Sequence, residues 1–177
     1  MEYKICAVER KGKNRNILEK KLISFRGKFV HKLSEQGRLS LPSDFKQALR
    51  NRGVNRLVAV RYPDCLRIWP EDEWEKKEQA FEDLNLDDER ISGYLRYLYT
   101  NLMNIEVDRQ GRLVLAEEWR KELDLKEQVC IIGMGNLFEL WNPEKHQWKS
   151  QELAQQFSSN RDYVVEILGR KKQDEQN

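Results

Sequence analysis

Two arginines occupy positions from which a guanidinium can reach out of the molecule. Arg38 lies in SEQGRLSLP, residues 34–42, and Arg112 in VDRQGRLVLA, residues 107–116; each directly follows a glycine. The tetrapeptide Gln-Gly-Arg-Leu returns 74 positions after its first appearance. Glycine accepts a positive φ that other residues resist, so Gly37 and Gly111 predict tight turns. Each arginine then starts a return strand. A two-stranded ribbon can enter the DNA major groove, where arginine bonds a guanine edge in bidentate fashion or holds a phosphate. A local role is equally open. The arginine would then pair with a carboxylate to hold the turn, and Asp108, four residues before Arg112, is the partner at hand.

Other reactive patterns are scarce. His31 and His146 are the two histidines, and neither has a metal-ligand spacing. His31 falls in a strand and reads as a packing or polar-face residue. There is no Gly-x-Ser-x-Gly elbow and no phosphate-binding loop. Gly133 and Gly135 lack the third glycine and the following helix of a dinucleotide site, so they read as a turn. Cys6, Cys65 and Cys130 are odd in number and scattered, which suits a reducing cytoplasm and argues against a disulfide framework or zinc knuckle. Accordingly, no catalytic residue, metal, cofactor or small-molecule substrate is expected, and the chain is not read as an enzyme.

Charge points to a polyanion. Residues 1–32 carry ten Lys and Arg against Glu2, Glu9 and Glu19, a net of +7 within a chain of net +2. A basic surface of this kind meets phosphates while the acidic remainder faces water; a merely solvated basic tail is the bland alternative. The first residues are too charged for a signal peptide, and no run of apolar residues is long enough to cross a membrane. A cytoplasmic protein is expected.

The elements that must position the arginines are written twice. Leu33, Phe45 and Leu49 match Val107, Trp119 and Leu123 at an offset of 74; Leu66, Ile68 and Trp69 match Phe138, Leu140 and Trp141 at 72; Trp74 and Trp148 return to 74. Phe29, His31 and Leu33, then Leu39 and Leu41, alternate as strand, turn and strand within one hairpin. A short helix follows Pro42, with Ser43 as its cap and Phe45, Ala48 and Leu49 on its apolar face. LAEEWRKEL repeats it, with Trp119 and Leu123 inward and Glu117 and Glu118 in the first turn. LVAVRY with CLRIW, and QVCIIG with LFELW, predict further strand pairs. Ile91, Tyr94, Leu95, Leu98, Tyr99 and Leu102 recur at helical spacing and predict an apolar stripe on a connecting helix. Tyr163, Val164, Ile167 and Leu168 predict a last helix ending at Gly169.

FRGKFVHKLSEQGRLSLPSDFKQAL, CLRIWPEDEWE and VDRQGRLVLAEEWRKELDLKEQVCIIGMGNLFELWNPEKHQW together resemble the MraZ family, bacterial transcriptional regulators, over about residues 25–150. The resemblance implies a mainly β protein with flanking helices (α+β), a pseudo-symmetric swapped-hairpin β-barrel of two AbrB-like halves. It further implies rings of identical subunits on repeated promoter boxes of the division and cell-wall gene cluster, and hence association with the nucleoid. The expected division is 1–24 basic extension, 25–75 first half, 76–102 helical connector, 103–149 second half and 150–177 C-terminal helix and tail. The family's turn motif, Asp-x-x-x-Arg, falls on Asp108 and Arg112, but Ser34 replaces the aspartate before Arg38. The DNA-binding set expected is Arg38, Arg112, Gly37, Gly111, Lys28, Lys32 and Arg109, with Ser34 and Asp108 orienting the turns. A protein-interaction or assembly module without DNA is the competing class, resting on the acidic connector and the Tyr/Leu stripe.

Overall fold

Residues 28–32 alternate between solvent-facing Lys28, Val30 and Lys32 and half-buried Phe29 and His31, and they form strand β1 (Lys28–Lys32). Gly37, at φ +77°, reverses the chain into the three-residue β2 (Arg38–Ser40). Helix α1 (Ser43–Arg52) buries Phe45, Ala48 and Leu49 and ends at Gly53 in the left-handed conformation. Then come β3 (Arg56–Arg61), β4 (Cys65–Pro70), α2 (Glu71–Glu82) and α3 (Glu89–Thr100). The unit repeats as β5 (Leu102–Glu106), β6 (Arg112–Val114), α4 (Glu117–Glu122), β7 (Gln128–Gly133), β8 (Phe138–Trp141), α5 (Pro143–Gln155) and α6 (Phe157–Asp174). This computed structural model describes residues 24–174, so the predicted basic extension lies outside the described residues up to Ser24.

The two halves are interleaved. One antiparallel sheet of six strands runs β1-β7-β8-β4-β3-β5, and a separate ribbon pairs β2 with β6. The first strand of each half therefore lies against the third element-strand of the other: Lys28 opposes Ile132 as Leu102 opposes Val60. These registers obey one pseudo-twofold axis. It passes between Leu39 and Leu113 in the ribbon and between Arg67 and Glu139 in the sheet, and each pair consists of equivalent positions of the repeat.

Between ribbon and sheet lies the main core. Leu39, Leu113, Leu66 and Leu140 are fully buried there with Phe25, Phe45 and Phe138, whose rings meet tilted or edge-on at centroid distances of 4.9–5.5 Å. On the other side of the sheet Val58, Val60, Trp69, Trp74 and Leu98 form a second cluster under α2 and α3. Both faces of β4 and β8 are thus covered, and their residues are nearly all buried.

Several expectations need correction. The fold is α+β with an antiparallel sheet and flanking helices, but helices hold more residues than strands, so it is not mainly β, and among the described residues no closed barrel is found. β1 and β5 remain edges of the sheet, and the ribbon strands are too short to bridge them. The expected hairpin also opens: β1 meets β2 through the single bridge Leu33–Leu39, while β2 finds its ladder on β6. Ser43 is the first helical residue and caps nothing; its hydroxyl donates to Asp44. The helix α3 stops at Thr100, so Leu102 belongs to β5, and Tyr94 and Tyr99 are exposed, leaving Leu95 and Leu98 as its buried face. α6 runs through Gly169 to Asp174. The counterpart of Trp74 is His146, not Trp148: Trp74 packs edge-on against Trp69 as His146 does against Trp141, and Trp148 is 77% exposed.

Candidate nucleic-acid interface

In the ribbon, Arg38 opposes Val114 and Ser40 opposes Arg112. Side chains alternate across a strand, so Arg38, Ser40, Arg112 and Val114 share one face while Leu39 and Leu113 point into the core. The two arginines are diagonal cross-strand neighbours, about 7–8 Å apart at the backbone. Sequence reading placed them at two hairpin tips; the fold gathers them on one outward face. Val114 adds an exposed apolar group beside Arg38.

Each turn is tied to the opposite half. Leu41 N–H donates to the Gly111 carbonyl at 3.0 Å, and Leu115 N–H donates to that of Gly37 at 2.9 Å. These approaches leave no room for a Cβ unless a neighbour shifts. A Cβ on Gly37 would lie 2.5 Å from the Leu115 oxygen, and one on Gly111 the same distance from Lys46 Cδ. With φ of +77° and +75°, both positions also disfavour side chains on backbone grounds.

Within the turns the two copies diverge. Ser34 Oγ accepts from Arg38 N–H at 3.0 Å, and the Ser34 carbonyl accepts from Gly37 N–H at 2.9 Å. Asp108 makes the corresponding bonds and more. Its Oδ1 accepts from the N–H groups of Gln110 and Arg112, both at 2.9 Å. Its Oδ2 accepts Arg112 Nε at 2.8 Å and Nη2 at 2.7 Å. The Arg112 backbone N–H, followed by its guanidinium, holds the Asp108 carboxyl below the usual carboxylate range. So the local-pairing role applies to Arg112, whose pair is open to solvent and therefore orients the side chain more than it stabilises the fold. The exposed Arg38 guanidinium has no partner among the described residues.

The remaining expected residues divide. Arg109 is exposed at the tip of the second turn, where the first has Glu35. Lys28 and Lys32 are exposed on the edge strand β1, but alternation turns them away from Phe29 and His31, which face the core. His31 in turn reaches the ribbon, its Nδ1–H donating to the Ser40 carbonyl at 2.6 Å. The fold therefore does not place the two lysines with Arg38 and Arg112; on an edge strand they oppose addition of a further strand.

Two cations absent from the expected set lie against the turns. Lys46 of α1 runs across Gly111 and donates to Ser40 Oγ at 2.8 Å. Arg120 of α4, its counterpart at the offset of 74, lies against Gly37 and donates from Nη1 to the Glu35 carbonyl at 2.9 Å. A basic residue at the same place in both copies was the available signal. Among the described residues no group of three His, Cys, Asp or Glu could hold a metal ion. Burial pushes the Cys65 thiol up to about 12 and raises that of Cys130.

Comparison with known proteins agrees with the doubled architecture. The family model described as "MraZ protein, putative antitoxin-like" matches residues 24–95 and again 98–164. A protein of Syntrophobacter fumaroxidans named transcriptional regulator MraZ is 33% identical over 118 residues, covering 67% of this chain and 79% of that protein. One of the same name from Thermomicrobium roseum is 30% identical over 130 residues, 73% of this chain and 89% of its own. A third, from Burkholderia cenocepacia, is 31% identical over 133 residues, 75% and 92% respectively. The doubled match falls on the two interleaved halves whose turns bear Arg38 and Arg112, and the chain belongs to the MraZ family.

Proposed function

We propose that this protein is a sequence-specific, double-stranded-DNA-binding transcriptional regulator that acts through the outer face of the β2–β6 ribbon. The observation that carries the reading is the placement of Arg38 and Arg112 as diagonal neighbours on that face, above leucines anchored in the core. A ribbon of two strands fits the major groove, and two arginines at this separation span a few base pairs. The names of the relatives support the same reading. Among the described residues no helix is long and apolar enough to cross a membrane.

So short a footprint does not give tight, selective binding to one subunit. A ring of identical subunits presenting ribbons to repeated promoter boxes supplies the missing affinity through simultaneous engagement. Exposed apolar side chains on the outer helices, including Tyr97, Trp148 and Phe157, offer surface for such an assembly. The boxes belong to the promoter of the division and cell-wall gene cluster, and the protein works in the cytoplasm at the nucleoid. No cofactor and no catalytic step enter this reading.

The test is titration of the purified protein against its own upstream DNA and an unrelated duplex at several salt concentrations. Selective binding that weakens steeply with salt is expected. Same-face engagement requires box spacings near one helical turn, about 10–10.5 base pairs or a multiple. Inserting five base pairs between boxes should therefore cost far more affinity than inserting ten. An oligomer in sedimentation with no salt-dependent DNA binding would support instead an assembly module, which the same exposed aromatic surface favours.

A further inference from the structure

We propose that Lys46 is a third DNA contact of the ribbon face, a ligand for a backbone phosphate, while its repeat counterpart Arg120 is a brace for the first turn. This rests on the DNA-binding reading above. Lys46 belongs to the first half, yet its stem crosses Gly111 of the second, where even a methyl group would lie within 2.5 Å of Cδ. The ammonium ends 2.8 Å from Ser40 Oγ, and Ser40 is the ribbon residue directly opposite Arg112. The charge is thus delivered to the flank of the arginine-bearing face on a stem that lies over Gly111. Among the described residues no carboxylate pairs with it.

Its surroundings are those of a phosphate contact. Lys46, Arg50 and Arg109 line one side-groove of about 200 Å³ beside the second turn, and among the described residues Asp108 is the one acidic group in its lining. That aspartate is already occupied by Arg112. A compact ammonium beside the ribbon, and not on it, meets the groove wall where phosphates lie, and lysine serves there as a point charge without reading bases. Arg120 is placed differently. Its guanidinium packs over Gly37 and spends a donor on the Glu35 carbonyl inside the turn. Equivalent positions of the repeat have separated into a ligand and a brace.

Lys46→Met keeps the stem over Gly111 and removes the charge. Binding to promoter and unrelated duplexes should fall by a common factor, and the slope of log K against log salt should flatten by about 0.9, one phosphate contact. Lys46→Arg should restore the slope. Arg120→Met should leave the slope intact and lower the melting temperature. Should Lys46→Met fold poorly, Lys46→Gln measured below its melting temperature gives the same comparison. An unchanged slope in the neutral variants, with wild-type binding lost on Arg38→Ala, overturns the role of Lys46 and leaves the DNA-binding reading standing. A wild-type protein without salt-dependent binding overturns that reading itself.

Discussion

Arg67 and Glu139 face each other across the β4–β8 ladder, Nε donating to Oε1 at 3.0 Å, although they are the same position of the repeat, 72 residues apart. Two identical halves would set like charges against each other on the pseudo-twofold axis. Carrying both halves in one chain lets the position hold opposite charges. Glu139 is buried and also accepts Trp141 Nε1 at 2.9 Å, while the Arg67 guanidinium lies over the Tyr62 ring at 4.3 Å. Removing Arg67 leaves a buried carboxylate uncompensated. Arg67→Met should lower unfolding stability by about 1–3 kcal/mol, less than for a fully buried pair because the arginine is partly exposed. Denaturant titration measures this, and the exchanged double variant Arg67→Glu/Glu139→Arg should recover part of the loss.

The two ribbon arginines should respond differently. Arg38→Ala removes a guanidinium with no described partner, so promoter affinity should drop by about 1–3 kcal/mol per base contact while the melting temperature barely moves. Arg112→Ala should in addition loosen the second turn, because it deprives Asp108 of its partner. Ser34→Asp should pin Arg38 as Asp108 pins Arg112 and add a charge that repels phosphate. Non-specific binding should then fall, with the specific-to-non-specific ratio held or raised. Parallel titrations on promoter and unrelated DNA decide it; a lower ratio contradicts this account.

Gly37 and Gly111 share a conformation but not a neighbour. Alanine at either position takes on about 1–2 kcal/mol of left-handed backbone strain. At Gly37 the new methyl meets a backbone oxygen, whereas at Gly111 it meets a lysine chain that can swing aside. Thermal melts should therefore show Gly37→Ala to be the more destabilised. Gly111→Ala should displace Lys46 and weaken DNA binding beyond what its melting temperature explains.

His146 makes stability depend on pH. Burial, then the Lys28 charge, depresses its pKa below the ordinary 6.5, against the opposing pull of Glu139. Among the described residues its buried Nδ1 has no hydrogen-bond partner. The unfolded chain binds the proton more readily, so stability is full above about pH 6.5 and declines as pH falls towards the depressed folded value. His146→Phe keeps an aromatic ring on Trp141 and should flatten that decline. Chemical denaturation at pH 7.5 and pH 5 checks it; an equal loss in both proteins assigns the effect to other groups.

The repeat, the turn glycines, the arginines and most strands were legible in the sequence because each depends on local chemistry. A positive φ asks for glycine, alternation marks a half-buried strand, and a common offset marks equivalent positions. Asp108 was legible as the partner of Arg112 for the same reason, since four residues across a turn leave little freedom. Pairing between distant strands was not. Nothing local in RLS or RLV tells β2 to leave β1 and join β6; that follows from Leu39 and Leu113 meeting in one buried core. Nor could offset alone decide between His146 and Trp148, because two tryptophans at matching spacing outweighed a histidine until burial and ring contact identified the packed one. The seating of Lys46 against the opposite half's glycine arises the same way. Sequence determined where the turns, the exposed charges and the apolar positions fall, through backbone and side-chain preferences that operate over a few positions. Tertiary structure alone decided which of them share a face, because that depends on how leucines of both halves close into one core.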